Sequence, residues 1–166
     1  LREISMKLTS ELDLTVLLNS IVQQAVRLLD ADSGGLYLYD AAQDVLVWST
    51  AYEHGRGPLD PQIGRGEGLG GKVWERGEPL FVEDYSAWEG RADVFGGQPF
   101  AAVVGAPVQW HAESGTTFLG VLEIFSETPD LFSEESASLL ALLADHAAVA
   151  IRNARFYEQV QRELAE

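Results

Sequence analysis

An acid stands where an apolar residue is expected. In the run Leu119-Gly120-Val121-Leu122-Glu123-Ile124-Phe125, strand alternation puts Val121, Glu123 and Phe125 on one face and Gly120, Leu122 and Ile124 on the other. A carboxylate among apolar neighbours is costly to bury unless something pairs with it. Glu123 reads either as a polar anchor for a ligand's amine or hydroxyl, or as a structural acid satisfied by water, Arg65 or Arg91. Aromatic residues gather where they could face it. These are Trp48 and Tyr52 on an earlier strand, and Phe81, Tyr85, Trp88, Phe95 and Phe100 from the chain's middle onward, with Asp84 among them. Such rings suit stacking on a planar ligand, and equally suit filling the cavity themselves. The candidate ligand-binding set is therefore these eight residues together with Val121, Glu123 and Phe125.

Other chemistries find less support. Residues 64–84 carry Gly64, Gly66, Gly68, Gly70 and Gly71, which invites a phosphate-binding reading. No Gly-x-x-x-x-Gly-Lys-Ser/Thr is present, and Gly-x-Gly-x-x-Gly fits only at Gly66, Gly68 and Gly71. The preceding Pro58-Leu59-Asp60-Pro61-Gln62-Ile63 reads as a turn, whereas a dinucleotide site needs a buried strand there. The glycines are thus read as shaping a tight loop into a helix. His54, His111 and His146 show no metal-ligand spacing, and Ser33, Ser49 and Ser114 lack a nucleophile-elbow context. No catalytic constellation and no metal site are expected. The chain has no cysteine, which excludes disulfides, thiolate catalysis, cysteine-based zinc sites and thioether-linked chromophores.

The elements that must position these residues follow from periodicity and punctuation. Residues 1–12 carry Leu1, Ile4, Leu8 and Leu12 at helical spacing. Asp13 is expected to cap a second helix over residues 14–29, which Asp30-Ala31-Asp32-Ser33-Gly34 breaks. Strands are expected at 35–39 and 45–52, joined by a hairpin, with Leu46, Trp48 and Tyr52 on one face of the second. A short helix over 69–76 ends at Gly77, and Pro79 precedes a short strand at 80–82. Residues 85–97 read as irregular. A central strand is expected at 100–110, a turn at 111–115 and another strand at 117–126. Ser133 caps a final helix, with Ser136 at the capping-box position, running to the chain end for roughly 50 Å at about 1.5 Å per residue. Hairpin joins make the sheet mainly antiparallel and the class α+β.

Composition bounds the partners. The 166 residues suffice for one domain, and 26 Asp+Glu against 11 Lys+Arg leave a formal net charge of −15. That balance opposes nucleic acid and anionic membrane surfaces. No apolar run is long enough to span a bilayer, and no secretory signal is evident, so the cytosol is the expected compartment. The first residue is Leu1 and both ends read as helical, which leads us to expect a fragment of a longer protein.

With these elements in order, the chain resembles the GAF domain family over about residues 12–154. The resemblance rests on Leu28-Leu29-Asp30-Ala31-Asp32, Gly35-Leu36-Tyr37-Leu38-Tyr39-Asp40 and Gly68-Leu69-Gly70-Gly71-Lys72-Val73. It continues through Gly77-Glu78-Pro79-Leu80, Asp84, Val104-Gly105-Ala106-Pro107-Val108, Leu119-Gly120-Val121-Leu122-Glu123-Ile124 and Phe132-Ser133-Glu134-Glu135. It implies a PAS-related central antiparallel sheet, with terminal helices packed on one face and short helices and loops over a ligand pocket on the other. It also implies a non-enzymatic regulatory role upstream of a histidine kinase, cyclase or transcription regulator, with the output domain in the same polypeptide. Family members that bind bilins covalently, and the free-methionine-sulfoxide reductases of this fold, use cysteines that are missing here. The Asn-Lys…Phe…Asp-Glu constellation of cyclic-nucleotide binders is not reproduced in Asp84-Tyr85-Ser86-Ala87-Trp88-Glu89. The ligand is left unassigned.

The resulting organisation is an N-terminal signalling helix at 1–12, a GAF domain at 13–155 and a helical extension toward an output domain at 156–166. A parallel homodimer is expected through Leu1, Ile4, Leu8, Ala150, Ala154, Tyr157 and Leu164, at positions where the terminal helices have no domain surface left to cover. A ligand-free dimerisation and relay module with a collapsed pocket is the alternative.

Overall fold

Residues 2–28 contain neither Gly nor Pro, and they form one helix, α1 (Arg2–Leu28). The computed structural model describes residues 2–52, 62–89 and 101–165, with residues 2–12 and 86 described by backbone alone. The break expected at Asp13 does not occur. An interior Asp costs less than about 1 kcal/mol relative to Ala, too little to stop a helix that has a surface to cover. The real stop is a Schellman turn: Asp30 takes φ 54°, and the Ala31 N–H donates to the Val26 carbonyl at 2.9 Å.

Two hairpins then supply most of a six-stranded antiparallel sheet. The strands are β1 (Ser33–Asp40), β2 (Val45–Tyr52), β3 (Gln62–Ile63), β4 (Leu80–Val82), β5 (Ala102–Ala112) and β6 (Gly115–Ser126). Their spatial order is β3-β2-β1-β6-β5-β4, which puts β1 and β6 at the centre. The turn expected over 111–115 tightens to Glu113 and Ser114. His111 and Thr116 face each other across the ladder and join at 2.9 Å, so pairing continues past Trp110.

Each hairpin carries one extra residue. In β2, Trp48 pairs with Tyr37 and Thr50 with Leu36, leaving Ser49 unpaired. In β6, Phe118 pairs with Gln109 and Gly120 with Val108, leaving Leu119 unpaired. A bulge inverts the alternation beyond it. Beyond Ser49 the strand therefore turns Tyr52 to the opposite face from Trp48.

That opposite face meets the long helices. Helix α3 (Glu134–Ala165) begins at a reciprocal cap: the Ser136 N–H reaches the Ser133 Oγ at 3.4 Å, and the Ser133 N–H reaches the Ser136 Oγ at 3.1 Å. Its buried stripe of Ala137, Leu140, Ala144, Ala147, Ala148 and Ile151 is mostly small, which lets it lie close to the sheet beside α1. Leu18, Val22, Ala25, Leu36, Leu122 and Ile124 complete that core. Among the described residues no helix is long and apolar enough to cross a membrane.

A second core fills the other face, under helix α2 (Gly68–Arg76). Gly77 ends α2 in the left-handed region, at φ 67°, with its N–H donating to the Val73 carbonyl. Leu69 and Val73 point down onto Tyr37, Val103, Val121 and Phe125. This smaller core holds the candidate site.

Candidate functional site

Glu123 sits at the middle of the α2 face, 1% exposed. Its partners across the sheet are Gly35 on β1 and Gly105 on β5, so no side chain stands beside it on either neighbouring strand. The Gly35 vacancy is filled from β2: a Cβ there would lie 2.1 Å from the Trp48 ring. From above, α2 approaches through Gly70, whose added Cβ would lie 2.6 Å from Glu123 Oε1 and 3.0 Å from Ile63 Cδ1. Gly70 lies in the first turn of α2, where backbone N–H groups lack intrahelical partners, and its N–H donates to the Glu123 carboxyl group. Oε1 has no hydrogen-bond partner.

The electrostatics follow from this geometry. Burial pushes the Glu123 carboxyl up from 4.5 to about 8, and the Gly70 N–H pulls it back only in part. At neutral pH the neutral acid dominates. The salt bridge to Arg65 is not formed. The Arg65 guanidinium instead lies over the Trp74 ring, 5.9 Å from its centroid. Lys72 is also engaged elsewhere, with its Nζ 3.1 Å from the Gly66 carbonyl and 5.8 Å from the Trp88 ring centroid. Arg91 lies outside the described residues.

Of the expected ligand residues, Val121, Phe125 and Tyr85 are buried in the α2-side core, and Trp48 and Trp88 pack against it. Trp48 meets Tyr37 edge-on at 4.9 Å and Phe125 at 6.2 Å. Tyr85 and Trp88 lie 5.6 Å apart. Two placements are corrected. Tyr52 packs against the helix-side core, because the Ser49 bulge turns it away. Phe81 does so too: it pairs with Val104, whose side chain faces the helices, while Leu80 and Val82 take the α2 side. Asp84 is exposed, and Phe95 and Phe100 lie outside the described residues.

Some residues escaped the sequence reading. Tyr37 is fully buried beside the site. Tyr39, Trp74 and Phe118 form a second aromatic group, with Trp74 and Phe118 stacked at 5.6 Å, that ties α2 to the hairpins. Glycines inside strands, here Gly35 and Gly105, were the available signal that something approaches the sheet closely.

On the helices, Ala150, Ala154 and Tyr157 are half-buried, Leu164 is 70% exposed, Ile4 and Leu8 are described by backbone only and Leu1 is not described. The exposed apolar residues of α3 are Leu142, Val149 and Phe156 at seven-residue spacing, with Leu164 beyond. Among the described residues no group of three or more His, Asp or Glu is placed to hold a metal ion.

A six-stranded antiparallel sheet, backed by two long helices and faced by a short helix over a buried polar group, defines a GAF-like α+β domain. The chain belongs to the GAF domain family, whose model matches residues 11–152. Among curated proteins, it is 24% identical over 180 aligned positions to the dual 3',5'-cyclic-AMP and -GMP phosphodiesterase 11 of Drosophila melanogaster. That alignment covers 98% of this chain and 12% of the phosphodiesterase, so the chain spans only a small part of that relative's length. Among solved structures, it is similar to the GAF domain of an Acinetobacter phosphoenolpyruvate-protein phosphotransferase. The TM-score is 0.71 and the identity 26%, with 86% of this chain and 84% of that one covered. It also shares its fold with a free methionine-R-sulfoxide reductase from Neisseria meningitidis solved with its substrate. There the TM-score is 0.72 and the identity 21%, with 87% and 81% covered. Regulatory modules and an enzyme share this fold, so the fold alone assigns no activity.

Proposed function

We propose that the chain is a non-enzymatic sensory module of a cytoplasmic signal-transduction protein, of the kind that carries a histidine kinase, cyclase or transcription regulator as its output. It binds a small molecule on the α2 face of the sheet and passes the event to α1 and α3. The observation that carries this reading is Glu123, a fully buried acid with an unpartnered Oε1, held under a helix start and flanked by aromatic rings. A core that keeps such a group forgoes the stability an apolar residue would bring, and that pattern marks functional positions. The absence of cysteine favours sensing over methionine-sulfoxide reduction. A ligand offering a hydrogen-bond acceptor would satisfy the Oε1 hydroxyl of the neutral acid, an ammonium would pair with its ionised form, and differential affinity for two seatings of α2 would convert binding into a shift of the helices. The helices would act within a homodimer.

One observation favours a second reading, a ligand-free dimerisation module. The Trp48 ring already occupies the space above Gly35 and packs on Tyr37, so the domain's own side chains fill part of the site. Native mass spectrometry of freshly purified protein, followed by denaturation, separates the two. A mass excess lost on unfolding is the expected result. A bare mass, with no thermal shift across a metabolite panel, would transfer the assignment to the second reading.

A further inference from the structure

On the opposite side of the sheet from Glu123, the outer half of α3 and the end of the β5–β6 hairpin enclose a groove of about 260 Å³. Trp110 forms one wall, and the Arg152 guanidinium lies over its ring at 4.1 Å from the centroid. Leu119 and Phe156 give the groove apolar surface, and Phe156 is 64% exposed. Arg155 enters the same groove three residues after Arg152. The remaining polar groups there, on Thr117 and Gln159, can both donate hydrogen bonds, and among the described residues no carboxylate lines the groove.

In a chain of net charge −15, two adjacent cations in a groove whose described lining holds no acid are against the general trend. Like charges three apart on a helix repel each other, a cost that a bound anion would relieve. Contact with the Trp110 ring holds the Arg152 guanidinium in the groove, and the N–H edge of a guanidinium matches a planar carboxylate. Two forked donors beside aromatic and aliphatic walls select an anionic head on an apolar body.

We propose that this groove is a second ligand site, for a small monocarboxylate with an apolar body. Bound there, the carboxylate bridges Arg152 and Arg155 while the body lies between Trp110, Leu119 and Phe156. The ligand then clamps the β5–β6 hairpin to α3 and gives that helix an input independent of Glu123.

Benzoate tests this, with benzyl alcohol as its neutral counterpart and inorganic phosphate as an anion without an apolar body. The readout is the Trp110 indole N–H resonance, assigned with a Trp110→Phe variant. Benzoate is expected to move that resonance saturably, with an affinity that falls as salt rises. Arg155→Gln, an exposed position whose loss leaves the core intact, is expected to weaken benzoate about tenfold, the scale of one lost charge-assisted hydrogen bond. The inference is overturned if benzoate gives no saturable shift at millimolar concentration, if benzyl alcohol or phosphate matches it, or if Arg155→Gln binds benzoate as the parent does. Any of these results leaves the Glu123 reading standing, because the two sites lie on opposite faces of the sheet.

Discussion

Glu123 sets a pH dependence whose sign follows from its burial. Its folded-state value is raised from 4.5 to about 8, so the folded protein holds this proton more tightly than the unfolded chain does. The stability that the neutral acid contributes is complete below 4.5 and is lost as pH rises toward about 8, at roughly 1.4 kcal/mol per pH unit. Glu123→Gln removes the titration while keeping an oxygen to accept from Gly70. Urea midpoints across that window should therefore fall with pH for the parent and stay level for the variant, leaving the variant the more stable at the alkaline end. Parallel curves would mean that Glu123 is not buried as a neutral acid. Gly70→Ala probes the same site from above. Its Cβ would press on Glu123 Oε1 and on Ile63 Cδ1, side-chain ends that must swing aside within a packed core or let the helix lift. A loss of about 1–3 kcal/mol in chemical denaturation is expected, the range of overpacked sites. An unchanged midpoint would show that α2 is not seated on the carboxyl group.

Elements explain which parts of this domain could be read in advance. The bounds of β2 and β4, and the end of α2 at Gly77, follow from local signals: alternation bounded by turns, and a glycine that accepts positive φ. The Ser133 cap is equally local. Ser133→Ala should cost about 1 kcal/mol, read as a lower Tm without loss of the fold, because α3 is held mainly by its buried stripe. A Tm equal to the parent's would show that the cap bonds are redundant. The site was legible as a face, since Val121, Glu123 and Phe125 do point together under α2. It was not legible as a set of residues. Nothing around Ser49 announces a bulge, yet that one residue sends Tyr52 to the helix side. Asp13 carries a capping residue's chemistry without a break for it to cap. The unpartnered oxygen of Glu123 depends on how α2 docks, which is a tertiary fact that no window of sequence contains.

At the scale of the whole molecule, the sheet divides the labour. One face holds the candidate ligand site, and the other holds α1 and α3, whose outer surfaces carry exposed apolar residues. The stripe expected at Ala150, Ala154 and Tyr157 is already half-buried by the domain itself, which weakens it as a seam. The exposed apolar residues turn further round α3. Leu142 is 61% exposed, Val149 44% and Phe156 64%, at the seven-residue interval that keeps side chains on one side of a supercoiled helix. Val16 and Leu17 are exposed on α1 as well. A homodimer is therefore expected to close on Leu142 and Val149, with Tyr157 and Leu164 toward its rim. Two copies of a strongly acidic chain repel each other, so a dimer would require such an apolar seam. Leu142→Glu combined with Val149→Glu adds like charges at the centre of that seam and touches no buried residue of either core. Light scattering should then report a monomer, while circular dichroism and the thermal transition of the domain persist. If the double variant remains a dimer, the partner surface lies elsewhere. If the parent is itself monomeric at micromolar concentration, the helices do not assemble through this chain alone.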